Sequence, residues 1–244
     1  MCKNGLISSK IKIFLDGADR SSIIEMASDP SVQGFTTNPS LMKKAGVKNY
    51  REFCQEVLTH INGKPISFEV FADDFSEMKR QALEIASWEK DCHQVYVKIP
   101  ISNSRGESST SLIRELSDQG IRLNVTALMT HKQVLETCLA VSEGAPAIVS
   151  VFAGRVADTG RDPVSLMQFA SELARCLSPK IEVLWASSRE ALNFVQAQQV
   201  GCHIITAPLD LIKKLNGFHK DLTQLSLETV QQFKKDAIAS GFEL

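Results

Sequence analysis

Val95-Tyr96-Val97-Lys98-Ile99-Pro100 is a short β-rich run with one cation set into it. Successive strand side chains alternate between faces, so Val95, Val97 and Ile99 share one side while Tyr96 and Lys98 share the other. Taken alone, Lys98 also reads as a strand-end lysine whose ammonium snorkels to water. An inward cation on an aliphatic strand carries a desolvation cost, which points to chemistry when other strands behave in the same way.

Similar runs recur at 11–16, 32–37, 65–71, 94–99, 120–126, 145–152, 180–186 and 201–206. Helical patterns lie between them, among them 75–87, 108–117, 131–141, 164–176 and 189–198. Such alternation is the signature of βα units stacked on a parallel sheet. Eight strands in 244 residues match a single (β/α)8 TIM barrel, which typically takes roughly 250. No composition shift or Pro/Gly/Ser-rich linker divides the chain, so residues 1–244 read as one domain. Asp74 with Glu77 has the spacing of a capping box, and Gly120 and Gly201 stand where the chain turns into a strand. A C-terminal helix over 227–240, opened by Ser226 and closed by Gly241, is surplus to the barrel. It serves either to cover the lower mouth or to pack on a neighbouring subunit.

Composition excludes several classes. With 43% hydrophobic and 23% charged residues the chain is ordinary globular material. A net charge of −1 with scattered lysines and arginines offers no basic face for nucleic acid and no juxtamembrane cluster. The six cysteines, Cys2, Cys54, Cys92, Cys138, Cys176 and Cys202, include no C-x-x-C pair, which argues against a zinc knuckle or redox motif and for reduced thiols. Residues 1–6 lack the apolar run of a signal peptide and no apolar stretch spans a bilayer, so a cytoplasmic protein is expected.

The inner faces carry the polar groups. Lys12, Phe14 and Asp16 oppose Ile11, Ile13 and Leu15; Ser67 and Glu69 oppose Ile66, Phe68 and Val70. Arg122, Asn124 and Thr126 oppose Ile121, Leu123 and Val125; Ile148, Ser150 and Phe152 oppose Ala147, Val149 and Val151. In a barrel the aliphatic faces are covered by helices, so Asp16, Glu69, Lys98, Asn124, Thr126 and Ser150 converge at the C-terminal mouth, where barrel active sites lie. Each has a duller reading: Asp16 as a helix cap, Asn124 as a partner for stray backbone groups, Lys12 and Arg122 as ion-pair members low in the core. Arg155 follows the sixth strand and Arg189 the seventh. Two guanidiniums beside a helix N-terminus and a serine hydroxyl suit a phosphate, the plainer alternative being solvated loop arginines.

The segments Phe14-Leu15-Asp16, Gly34-Phe35-Thr36-Thr37-Asn38-Pro39-Ser40, Val97-Lys98-Ile99-Pro100, Leu123-Asn124-Val125-Thr126, Ser150-Val151-Phe152-Ala153-Gly154-Arg155 and Ala186-Ser187-Ser188-Arg189 resemble the transaldolases and the fructose 6-phosphate aldolases. The likeness runs in order over nearly the whole chain. It implies metal-free, cofactor-free aldol chemistry on sugar phosphates through a Schiff base on Lys98. Asp16 would take the proton of the donor's C4 hydroxyl, and Glu69 and Thr126 would hold a water for imine formation and hydrolysis. Thr36, Asn38, Asn124 and Ser150 would hold donor hydroxyls, and Arg155, Arg189 and Ser187 the phosphate. A free lysine, with an ordinary pKa near ~10.4, would need its amine made less basic for this. A homo-oligomer assembled through the last helix is implied as well.

Glu69 and Phe152 follow the transaldolase pattern, where the aldolases carry glutamine and tyrosine. A phenyl ring has no proton to give the enamine, which then survives to meet an aldehyde, so transfer of a dihydroxyacetone unit is the expected reaction. Aldolase-type cleavage to dihydroxyacetone and glyceraldehyde 3-phosphate is the alternative. Val151 stands where the family has proline, Gly17 where it has threonine or serine, and the loop 101–108 is longer and more polar than the family's turn. Its Arg105 reaches either the mouth or solvent.

Two other classes fit less well. A metal-dependent aldolase needs clustered histidines, and His60, His93, His131, His203 and His219 are dispersed. A sugar-phosphate sensor has no need of a buried amine beside two carboxylates.

Overall fold

Alternating aliphatic positions give strands that bury one face against helices and turn the other into a closed interior. A computed structural model of the chain describes residues 11–61, 63–88 and 95–243. Its eight strands are β1 (Lys12–Asp16), β2 (Gly34–Thr36), β3 (Ile66–Glu69), β4 (Val95–Pro100), β5 (Leu123–Leu128), β6 (Ala147–Val151), β7 (Ile181–Trp185) and β8 (Ile204–Ala207). All are parallel and pair in chain order, with β8 closing on β1. This is the expected (β/α)8 barrel. Cys2, Cys92, His93, Gln94 and the N-terminal run 1–6, all used in the sequence reading, lie outside the described residues.

The helices are α1 (Arg20–Ala27), α2 (Pro39–Lys44), α3 (Tyr50–Leu58), α4 (Phe75–Ala86), α5 (Thr110–Asp118), α6 (His131–Val141), α7 (Ala153–Ala157), α8 (Val164–Leu177), α9 (Leu192–Gln199), α10 (Leu209–Lys214) and α11 (Leu222–Ser240). Three helix starts move from their expected places, two because a side chain captures backbone donors and one because a backbone bridge holds the residues before it. Asn193 accepts from the amides of Arg189 and Glu190, so α9 starts at Leu192 rather than at Arg189. Ser108 pairs with Ser102 in an isolated bridge, which delays α5 to Thr110. Asp221 accepts from the amide of Gln224, so α11 starts at Leu222 and not after Ser226. Gly241 closes it in the left-handed region as expected. Asp74 caps α4, but Glu77 pairs with Arg80 instead of completing a box.

The barrel interior is apolar in its middle, where Phe14, Ile148, Leu184, Ala186 and Ile204 cluster and Tyr96 and Phe152 pack against them. Burying Phe14 contributes about 1.5–3 kcal/mol, and it fits because its register partner on β2 is Gly34. A Cβ there would lie 2.6 Å from the phenyl ring. At the strands' N-terminal end Lys12 donates to both oxygens of Glu182 at 2.8 and 2.9 Å, and Arg122 sits over the Tyr96 ring at 5.5 Å. The C-terminal end is left for the polar groups.

The chain divides into two compact units, the barrel ending at Ile212 and a segment from Lys213 onward. Within the second, α11 buries no residue and exposes Leu222, Leu227, Val230, Phe233 and Ile238. Among the described residues no helix is long and apolar enough to cross a membrane.

Candidate active site

The parallel register of β3 and β4 sets Glu69 opposite Lys98. Lys98 is 5% exposed, its Nζ 3.0 Å from Glu69 Oε2 and donating to the Thr37 carbonyl at 3.1 Å. An ammonium has three donors, so two are occupied by these groups. The end of β3 is clamped so that Glu69 keeps this place. The Val70 amide donates to the Lys98 carbonyl at 3.0 Å, the Tyr50 hydroxyl donates to the Glu69 carbonyl at 2.7 Å, and Gln81 Oε1 accepts from the Phe71 and Ala72 amides. Burial pushes the Tyr50 hydroxyl pKa well up, so it stays a donor.

Asp16 ends β1, two staves away from Glu69. Thr36 donates to its Oδ1 at 2.8 Å, and Thr36 Oγ1 lies 2.5 Å from Thr206 Oγ1. Burial raises the Asp16 pKa above its ordinary value; the Lys98 charge and the Thr36 hydrogen bond oppose this only in part. Helix capping is not its task, since Asp19 caps α1 by accepting from the Ser22 amide.

Asn124, fully buried on β5, donates to Ser67 Oγ at 2.8 Å and accepts from Ser150 Oγ at 2.6 Å. It therefore orients side chains across three staves and does not serve stray backbone groups. Beyond it, the β5–β6 register shifts between Val125 and Leu128, with Ala127 at φ 65°. Such bulges re-aim side chains beside active sites. Thr126 lies inside this one, and its buried hydroxyl bonds to no described residue.

The phosphate-binding candidates gather at the ends of β6 and β7. Phe152 opens α7 and is half-buried, with the Arg155 guanidinium 5.4 Å from its ring centroid. Ser187 follows β7 at φ 64°. Arg189 is not a free cation: its Nε and Nη2 grip Asp158 at 2.5–3.2 Å. Asn38 is partly committed, because its Oδ1 caps α2 by accepting from the Leu41 amide. Gly154 is required by close approach, since a Cβ there would lie 1.6 Å from the Ser187 carbonyl oxygen and 3.2 Å from Arg189 Cγ. Gly154→Ala is expected to cost about 1–3 kcal/mol of stability, read as a lower urea midpoint. An unchanged midpoint would mean that α7 and the β7 loop separate freely.

The loop after β4 is a closed unit. Asn103 Oδ1 accepts from the Arg105 and Glu107 amides, and Asp73 accepts from the Ser104 amide and hydroxyl and from Arg105 at 3.0 Å. Arg105, half-exposed, is thus spent on Asp73 and Glu107. Sequence reading missed Ser67 as a partner, Tyr50, Asp158 and Thr206. Only Ser67 and Thr206 had a signal, their strand parity; the others reach the site from helices.

A closed parallel barrel with an interior lysine–carboxylate pair at its C-terminal mouth places the chain among the (β/α)8 proteins that carry a polar site at that end. A family model described as Transaldolase/Fructose-6-phosphate aldolase matches residues 13–244, and the chain belongs to this family as a transaldolase-like enzyme. A Methanococcus maripaludis strain C7 protein named "Probable transaldolase" is 34% identical over 218 residues, 89% of this chain and 94% of that protein. A Dehalococcoides mccartyi protein of the same name is 34% identical over 205 residues, 84% and 90% of the respective chains. A crystal structure from Burkholderia cenocepacia J2315, described as a lyase/mutase, shares the fold alone. Its TM-score is 0.57 at 10% identity, over 97% of this chain and 87% of that one.

Proposed function

We propose that the protein transfers a dihydroxyacetone unit from a ketose phosphate such as fructose 6-phosphate to an aldose phosphate, through an imine on Lys98. The observation that carries the reading is the 3.0 Å pairing of a buried lysine with Glu69, close enough to Asp16 for its charge to act on that carboxyl. Glu69 accepts a proton from the Lys98 ammonium, and the neutral amine adds to the donor's C2 carbonyl. Loss of water gives the imine, with Glu69 and Thr126 handling the protons of that water. Asp16 then takes the C4 hydroxyl proton as the C3–C4 bond breaks, and the bond's electron pair passes into an enamine on Lys98. An aldose phosphate is released and another enters; the enamine attacks its aldehyde carbon, and Asp16 returns its proton to the new alkoxide. A water handled by Glu69 and Thr126 then adds to the resulting imine, so that its C–N bond breaks to free the product ketose and restore the Lys98 amine.

The remaining assignments follow from the same reading. Thr36, Asn38, Asn124 and Ser150 hold donor hydroxyls, while Arg155, Ser187 and the Nη1 of Arg189 left outside its grip on Asp158 hold the phosphate. Phe152 supplies no proton at the enamine, which favours transfer over release of dihydroxyacetone. The enzyme works in the cytoplasm, in pentose phosphate interconversion, as a homo-oligomer whose contacts use the apolar residues of α11.

Borohydride reduction in the presence of fructose 6-phosphate tests this. A three-carbon remnant mapped to Lys98, discharged before reduction by added erythrose 4-phosphate, is the expected result. Release of glyceraldehyde 3-phosphate and free dihydroxyacetone at full rate without acceptor would make the enzyme an aldolase. Absence of any adduct would leave a sugar-phosphate sensor.

A further inference from the structure

Thr206 on β8 faces the barrel interior and is buried, as is Thr36 on β2. Its Oγ1 is 2.5 Å from Thr36 Oγ1 and 3.4 Å from the Phe14 carbonyl oxygen, while Thr36 Oγ1 is 2.8 Å from Asp16 Oδ1. The four groups form a line across three adjacent staves, β2, β1 and β8. Each hydroxyl has one proton to give and lone pairs to accept.

That arithmetic allows two orders. With Asp16 ionised, Thr36 donates to Oδ1 and accepts from Thr206. With Asp16 neutral and its proton turned toward Thr36, Asp16 donates to Thr36, Thr36 to Thr206, and Thr206 to the Phe14 carbonyl. No proton leaves its oxygen in the two threonines; only the direction of donation reverses. The hydroxyls have partners in both orders, the 3.4 Å contact being the weakest link. We propose that Thr206 is a positioning residue for the reaction, acting through Thr36 so that Asp16 passes between carboxylate and carboxylic acid without stranding a buried hydroxyl. This rests on the reading of Asp16 as the acid–base of the aldol step.

Thr206→Val removes both the donor to Thr36 and the acceptor from it. The Thr36 hydroxyl then has only Asp16 to donate to, an arrangement that favours the carboxylate. Loss of the Thr206 donor also weakens the Thr36 bond to the carboxylate, but by a fraction of one bond, whereas the neutral form loses a whole partner. The charged group facing Asp16 is Lys98, which is itself paired with Glu69, and the substitution leaves both in place.

The test follows the Asp16 carboxyl band by infrared difference spectroscopy against pH, with Asp16→Asn assigning the band. In Thr206→Val the titration midpoint is expected to fall by about one pH unit. Thr206→Ser, which keeps the hydroxyl, is expected to hold the wild-type midpoint. The acid limb of kcat moves with the band, and kcat falls about tenfold at little change in KM. Should the valine variant not fold, Thr206→Cys, a weak donor and acceptor, is expected to lower the midpoint by a smaller amount. An unmoved or raised midpoint in either folded variant overturns the relay. Borohydride trapping with fructose 6-phosphate on Asp16→Asn judges the acid–base reading separately, while the infrared midpoint does not depend on turnover. An adduct that keeps all six carbons supports that reading, and a three-carbon remnant formed at the wild-type rate overturns it.

Discussion

Lys98→Arg is expected to lower turnover by on the order of 10⁵-fold or more, the scale seen when a covalent nucleophile is removed. Arginine keeps a cation against Glu69, but its guanidinium stays protonated in proteins and cannot add to a ketone. Charge is therefore held and only the covalent step is lost. The carbonyl of Thr37 and the carboxylate of Glu69, both within 3.1 Å of the lysine nitrogen, remain as partners for the larger head group. The readouts are acceptor-dependent transfer and the reduced adduct by peptide mass. Turnover in this variant comparable with that of the native enzyme would place the chemistry on another group and end the Schiff-base account.

Asp16→Asn is expected to do two opposite things. Loss of the proton acceptor lowers kcat by about 10²–10⁴-fold, while folding stability at neutral pH rises by about 1 kcal/mol. The sign follows from linkage. The folded protein binds the Asp16 proton more tightly than the unfolded chain, because burial raises its pKa from the ordinary 3.8. Its contribution to stability is full below that value and is lost as pH rises through the folded value. Asparagine has no charge to desolvate, so it removes the cost above this window and changes little below it. Thermal melts of both proteins at neutral pH and near pH 3 measure the difference. A variant less stable than wild type at neutral pH would show that the Lys98 charge outweighs burial at this carboxyl.

These two effects describe a site assembled at a stability cost. Asp16 is costly in its charged form, and Ala127 holds a left-handed conformation beside Thr126, a strain of the kind that persists at functional sites when the surroundings impose it. The barrel supplies the compensation in its apolar middle and in the aliphatic faces packed under helices. The loop after β4 adds local order through Asn103 and Asp73 and uses its arginine for that purpose.

The alternation of eight β-rich runs with helical patterns over this chain length was enough to predict a (β/α)8 barrel. Period-two parity within β1, β3, β4, β5 and β6 gave the inward set Asp16, Glu69, Lys98, Asn124, Thr126 and Ser150, since parity within one strand is a local property. The anion end was legible as residue types, in Arg155, Arg189 and Ser187, but their partners were not. Only the tertiary structure decided that Lys98 pairs with Glu69, that Asn124 joins Ser67 to Ser150, that Arg189 is held by Asp158, and that Thr206 reaches Thr36. Those contacts join residues 26 to 170 positions apart, or depend on a helix end whose course no local pattern encodes. Register between staves and the aim of helix ends are set by closure of the barrel and packing of its interior, which no single segment contains.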